Sequence, residues 1–440
     1  MSFPRYSTYR DSRHNWLGDV PEHWDLRRLG YYFGERREKV SDRDYQPLSV
    51  TKDGIVPQLE TAAKTDDGDN RKKVCKGDFV INTRSDRKGS AGLSDLDGSV
   101  SLISTVLKPK ESVHGTFIHH LLRSVPFQEE FYRFGKGIVA DLWSTNYAAM
   151  SGITLAMPPH REQVAIAAFL NRETAKIDAL IAEQQRLIEL LHEKRQAVIS
   201  HAVTKGLNPD VPMKESGVEW LGEVPAHWSN YRLKALFSLR HGYAFDGSQF
   251  SDEGEYALMT PGNFVETGGF RRKDPEKYYV GLDVSREFIL QGGEMLIAMT
   301  EQAPGLVGTA LIVPEGEKYL HNQRLGLVAR LKSEELGASF LYWLLNSPLL
   351  KAKIGVSAVG QKVRHTSPQK ILDNEVCLPP VCEQKGIAQY LAEHDEGCDK
   401  LVEKVNDSIR LLCERRSALI SAAVTGQIDV RGLVPEAEAA

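Results

Sequence analysis

The chain has 440 residues, too many for one hydrophobic core, so two to four domains are expected. Hydrophobic content of 41% and charged content of 26% fit a soluble globular protein. A formal net charge of −4 excludes a whole-chain field that would draw in a polyanion, so any nucleic-acid partner must meet local basic patches.

Five cysteines in this length do not make a disulfide framework, and the odd count fits a reducing compartment. Cys377 and Cys382 have no second close pair or nearby His to complete a zinc site. No apolar run approaches the ~20 residues of a membrane span, and MSFPRYSTYRDSRHNW does not read as a signal peptide. A soluble, cytoplasmic chain with no membrane partner is expected.

The first recognisable element is Trp16-Leu17-Gly18-Asp19-Val20-Pro21-Glu22-His23-Trp24. Two tryptophans around a Gly-Pro turn are expected to pin the chain where it enters a folded block. A block of roughly 130 residues follows, with short β-like runs and then a short helical segment. Strand-like runs such as Asp78–Ile81 and Val100–Ile103 are marked off along the block by the turn pairs Asp53-Gly54, Asp67-Gly68 and Asp97-Gly98. A helical segment is predicted from His119 to Phe134, followed by the glycine loop Gly135-Lys136-Gly137.

A long helix is predicted from Pro158-Pro159 to about Thr204, opening as PPHREQVAIAAFL and ending EKRQAVISHAVT. The prolines fix its start, because Pro fits only the first turn. At about 44 residues it would be about 66 Å long. Its seam runs through Ile177, Ile181, Gln184, Ile188, Leu191, Arg195, Val198 and Ala202, alternating steps of four and three as a coiled coil does.

Everything then recurs. Trp220-Leu221-Gly222-Glu223-Val224-Pro225-Ala226-His227-Trp228 repeats the tryptophan motif. The second block has strand-like Met295–Ala298 and Ala310–Val313, flanked by Gly292-Gly293 and Pro314-Glu315-Gly316. A helical segment from Ala338 to Lys351 and a glycine loop from Gly355 to Gly360 follow. PPVCEQKGIAQYL then opens a second long helix at Pro379, ending ERRSALISAAVT.

The two helices stand 221 residues apart without a gap, and 20 of 47 positions over 158–204 are identical. A shared hydrophobic pattern would not repeat Glu162-Gln163 as Glu383-Gln384, so this is a duplication. The second seam is Cys398, Val402, Val405, Ile409, Leu412, Arg416, Leu419 and Ala423. Gln184, Arg195 and Arg416 are polar breaks of the kind kept for register. Two copies sharing a seam are expected to pack about a pseudo-twofold axis. The helices would then run antiparallel, the chain after Thr425 would return to the tryptophan motif near Trp16, and two heads would be held apart by a spacer.

The order block–helix–block–helix, the doubled PPxxEQxxIAxxL opening and the doubled WLGxVPxHW motif resemble the specificity subunit of type I restriction–modification systems. The resemblance covers essentially the whole chain. It implies an α+β fold: two mixed α/β target recognition domains separated by a long antiparallel two-helix coiled coil, related by a pseudo-twofold internal duplication. Residues 1–157 and 211–378 would be the recognition domains, with tryptophan motifs at 16–24 and 220–228. Residues 158–210 would be the first spacer helix, and 379–440 the second with its tail. Each domain would read half of a split double-stranded DNA target. Partners would be two methyltransferase subunits and two restriction subunits. S-adenosylmethionine, ATP and Mg would be bound by those partners and none by this chain. A specificity subunit of a methyltransferase-only or other defence complex is the alternative.

For DNA contact, Lys and Arg are needed at phosphates and long polar side chains at base edges. In the first block the candidates are Arg84, Arg87 and Lys88, after the strand-like run, and Lys136 between its glycines. In the second they are Arg240, Arg271, Arg272 and Lys273, then Gln361, Lys362, Arg364 and His365 after Gly360.

Catalytic signatures are missing from the sequence. Neither Met157-Pro158-Pro159-His160 nor Leu378-Pro379-Pro380-Val381 is the Asn-Pro-Pro-Tyr of an adenine methyltransferase. No GxxxxGK[ST] loop is present. No persuasive nuclease cluster is found, and Glu193-Lys194 lies on the solvated face of the helix. The chain is expected to be a non-catalytic, metal-free binding subunit.

Overall fold

In each block, the strand after the second tryptophan pairs antiparallel with the strand that leads into the long helix. In the first block this joins Asp25–Arg28 to Thr154–Met157, with Leu26 opposite Ala156. In the second it joins Ser229–Arg232 to Glu375–Leu378. Each block is thus a closed excursion whose two ends meet at the foot of a helix.

The computed structural model describes residues 3–60, 68–137, 143–281, 284–360 and 363–433. The chain divides into two units, residues 1–185 with 406–440, and residues 186–405.

In the first unit the central sheet has four antiparallel strands in the order Ala91–Leu93, Phe79–Asn82, Ser104–Pro109, Phe33–Glu35. Alternation along Phe79–Asn82 sends side chains to opposite faces. Phe79 and Ile81 enter the main core with Trp24, Phe117, Phe127, Phe131 and Phe169. Val80 joins a smaller cluster with Leu48, Val74, Val100 and Val106. Helices Gly115–Arg123 and Val125–Arg133 contribute Phe117, Phe127 and Phe131 to the main core. The smaller cluster draws on a three-stranded sheet, Gly98–Val100, Arg71–Val74 and Lys39–Val40, and on the hairpin Leu48–Thr51/Gly54–Pro57.

The second unit has the same plan on different residues. Its central sheet runs Phe237–His241, Leu325–Leu331, Met295–Ala298, Ala310–Ile312. Met295 and Ile297 face a core with Trp228, Phe340, Leu341, Ile354 and Ile387. Leu296 and Ala298 face another with Ala257, Leu311 and Tyr319. Here the second sheet is larger, five short strands against three.

Three local readings differ from the sequence expectations. Each helical segment is two helices: Ser124 and Ser347 cap a new helix with Pro126 and Pro348 in its first turn. A proline there lacks the N–H the preceding helix would need, so the chain breaks and restarts. Val100 ends one strand, Ser101–Ile103 form a turn, and Ser104 begins the next. The Gly355 end of the expected loop lies inside the helix Pro348–Ser357. Of the turn pairs, Asp67 lies outside the described residues.

The long helices run His160–Lys205, 46 residues, and Val381–Val424, 44 residues. Pro159 and Pro380 stand just outside, their carbonyls accepting the first helical amides at Gln163 and Gln384 (both 3.0 Å). In the first unit Ile177 packs in one core with Leu419, Ala423 and Val424. In the second, Ile199, Ala202 and Val203 pack with Ile387, Ala388 and Leu391. Residues near the start of one helix therefore meet residues near the end of the other, the antiparallel arrangement. The chain beyond Thr425 returns to the first tryptophan motif: Gln427 donates to the Asp19 carbonyl (2.9 Å), and Asp429 N–H to the Pro4 carbonyl (2.8 Å).

Candidate nucleic-acid interface

Where the central strand of each block ends, three chain segments are laced by the same backbone bonds. In the first unit, Thr145 N–H donates to Thr83 O and Ser85 N–H to Trp143 O, both 3.0 Å. Ser144 and Lys136 exchange two bonds of 3.2 Å. In the second, Thr366 N–H donates to Met299 O and Glu301 N–H to Arg364 O, both 2.9 Å. His365 and Val359 exchange bonds of 2.8 and 2.9 Å. Side chains add one cross-link to each frame, Ser144 Oγ to Thr83 Oγ1 (2.9 Å) and Thr300 Oγ1 with His365 Nδ1 (2.9 Å). These non-local bonds consume the backbone's polar groups, so the frame holds whatever side chains project from it.

The first frame brings Arg84 and Lys136 to either side of Ser144. Arg84 lies 3.3 Å from Asp86, and Lys136 is exposed. Arg87 and Lys88 follow in the adjacent exposed turn, with the Lys88 ammonium 5.4 Å over the Tyr132 ring. A groove of about 480 Å³ beside them is lined by Lys72, Thr83, Arg84, Leu102, Ser144 and Asn146.

The second frame itself contains Arg364 and His365. Arg364 bonds the Gly355 carbonyl and stands 3.4 Å from Glu301, and its side chain is 42% exposed. Gln361 and Lys362 lie outside the described residues. The run Arg271-Arg272-Lys273 adjoins this frame, because Lys273 and Gln302 both lie against Gly262. Arg271 is exposed. Arg272 bonds the Tyr278 hydroxyl (3.2 Å) and Glu317 (3.1 Å), and those partners raise its pKa. Lys273 pairs with Glu276 at 3.2 Å. Arg240 stands apart on the strand Phe237–His241, donating to the Glu287 carbonyl at 2.6 Å.

The seam residues are the covered ones of their helices. Ile177, Arg195, Cys398, Val405 and Leu419 are buried. Ile181, Gln184, Ile188, Leu191, Val198, Val402, Ile409, Leu412 and Arg416 are half-buried. The polar breaks have partners. Arg195 reaches Asp395 (3.0 Å) and Asp399, while Arg416 reaches Asp178 (2.8 Å). Asp178 and Asp399 stand 221 residues apart, as do Arg195 and Arg416, so these are two copies of one pair.

Sequence reasoning missed a second pair of sites, although its signal was the repeat itself. Glu162 accepts from the Trp24 indole (3.0 Å) and the Tyr6 hydroxyl (2.5 Å) and lies 2.8 Å from His23. Glu383 does the same for Trp228 (3.3 Å) and His227 (2.7 Å). Gln163 and Gln384 each donate to the carbonyl of their own first proline (2.9 Å). They also accept from His114 N–H (2.8 Å) and Gly337 N–H (2.9 Å). The Glu-Gln pair in each helix thus fastens the block to the helix foot. Trp143, beside Arg84 in the first frame, was missed for want of any local signal.

Among the described residues, no group of three or more His, Cys, Asp or Glu is placed to hold a metal ion. No described helix is long and apolar enough to cross a membrane.

Residues 225–411 match a family model described as the type I restriction modification DNA specificity domain. The type I restriction enzyme MjaVIII specificity subunit of Methanocaldococcus jannaschii is 24% identical over 432 residues, covering 94% of this chain and 95% of that protein. The EcoKI specificity subunit of Escherichia coli K12 is 23% identical over 372 residues, covering 81% of this chain and 76% of its own length. A chain solved in work on the assembly and conformational transition of a type I restriction–modification system has the same fold. Its TM-score is 0.62 at 17% identity, over 92% of this chain and 98% of that one. By family model over residues 225–411 and by relatives along nearly its whole length, the chain matches the specificity subunits of type I restriction–modification systems.

Proposed function

We propose that this chain is the DNA-recognition subunit of a type I restriction–modification complex, a non-catalytic scaffold that reads a two-part, asymmetric duplex target. The observation that carries the reading is one backbone frame built twice on unlike residues, each with Arg or Lys at its rim. Residues 1–157 and 211–378 act as the two recognition domains, and the long helices act as the spacer between half-sites. Arg84, Arg87, Lys88 and Lys136 meet the duplex in one half-site. Arg271, Arg272, Lys273, Gln361, Lys362, Arg364 and His365 meet it in the other. Lysine and arginine at phosphates supply affinity that weakens with salt, while base edges supply specificity. Chemistry resides in partners: two methyltransferase subunits using S-adenosylmethionine, and two restriction subunits using ATP and Mg.

The test is to co-express the full chain with the methyltransferase encoded beside it and to sequence modified bases genome-wide. Two unlike half-sites separated by a fixed number of unspecified bases are expected. Modification at a single continuous motif, or at none, would overturn the reading.

A further inference from the structure

Matching places on the two frames carry unlike side chains. Arg84 stands where the second unit has Thr300, Lys136 where it has Val359, and Trp143 where it has Arg364. At each place the backbone bonds are those of the frame; Thr300, buried and bonded to His365, belongs to the frame itself, and Arg364 adds a bond to the Gly355 carbonyl. Trp143 is 41% exposed, Val359 64% and Arg364 42%. An indole and an isopropyl group left in solvent beside cations have the character of a surface that is covered in use.

Resting on the DNA-recognition reading, we propose that the paired positions 136/359 and 143/364, with Arg84 in the first frame, determine base specificity, and that their unlike chemistry makes the two half-sites unlike. The guanidinium of Arg364 matches the O6 and N7 acceptors of guanine in the major groove. Trp143 offers no such fork, and its apolar ring matches the C5 methyl of thymine. The first half-site then has an A·T pair where the second has a G·C pair. Arg87 and Lys88, off the frame, contact phosphates and contribute affinity without preference.

The experiment uses the full chain co-expressed with its methyltransferase, with modified bases sequenced genome-wide for the unaltered chain, Trp143→Arg and Arg364→Ala. Trp143→Arg is expected to change the preferred pair at one position of one half-site, by about tenfold or more. Arg364→Ala is expected to relax one position of the other half-site by a similar factor. In both, the opposite half-site and the spacing stay as they were. Should Trp143→Arg fail to fold, Trp143→Leu, which retains an apolar side chain, is expected to weaken the preference at that same position. An unchanged motif in folded variants, or a uniform loss of modification with unchanged letters, overturns the proposal. An unaltered chain that directs no split motif overturns the recognition reading instead.

Discussion

At the scale of single residues, Glu162 has the most specific role outside the frames. Its side chain is 6% exposed and serves an indole, a phenol and an imidazole at once. Burial first, and then the hydrogen bond to Glu162, push the Tyr6 phenol far above its ordinary pKa, so it remains a donor. Removing the carboxylate strands an indole N–H and a phenol O–H in a closed site, which costs more than the bond itself is worth. Glu383 has no tyrosine partner among the bonds described, and its side chain is 30% exposed. Glu162→Ala should therefore destabilise its unit by about 3 kcal/mol, and Glu383→Ala by about 1 kcal/mol. Hydrogen exchange of the amides around Trp24 and Trp228 reads each unit separately. Equal losses in the two variants would contradict the account.

At the scale of elements, the two copies of the helix pair are not equally strong. Arg195 is 7% exposed and meets both Asp395 and Asp399, whereas Arg416 is 41% exposed and meets Asp178. Burial disfavours the Arg195 charge, but its bond to Asp399 and the carboxylate of Asp395 outweigh that and raise its pKa. The position matching Asp395 in the first helix is Thr174, whose hydroxyl turns back to the Leu170 carbonyl (2.7 Å) and offers no charge. Arg195→Ala should cost roughly 2–3 kcal/mol by leaving Asp395 half-buried and unpaired. Arg416→Ala should cost less than about 1 kcal/mol, as exposed pairs do. Exchange protection of the amides of 186–205 and of 406–424 distinguishes them, and a larger loss for Arg416→Ala would refute the ranking. Elements of this kind were legible in the sequence because their signal is local or repeated. The seam shows a period, the Pro-Pro starts show a cap, and Phe79–Asn82 and Met295–Ala298 show apolar runs between turns. The breaks at Ser124-Val125-Pro126 and Ser347-Pro348 were also written there, but the helical pattern on both sides overrode them. The frames were not legible, because bonds such as Thr145 to Thr83 join segments 62 residues apart that carry no common motif. Arg84 and Lys136 were chosen for charge and for their loops, one after a strand-like run and one between glycines, and only the fold places them beside one Ser144.

At the scale of the whole molecule, each long helix begins in one unit and ends in the other. If the units read separate half-sites, the letters read and the number of bases skipped are set by different parts of the chain. On that reading the letters belong to the frames and the gap to helix length. Four residues inserted after Glu189, and four more after Arg410 at the matching place of the second helix, preserve the relation between the copies. They lengthen each helix by about 6 Å at 1.5 Å per residue. Duplex DNA rises about 3.4 Å per base pair, so the gap should grow by one or two base pairs. An insertion of four also rotates the remainder of the helix by about 40° beyond a full turn, which the seam can absorb as a local change of winding. Sequencing of modified bases should show both half-sites unchanged and a longer gap between them. An altered half-site with the original gap would sink the assignment of spacing to the helices, because a change confined to the two long helices would then have acted on the letters.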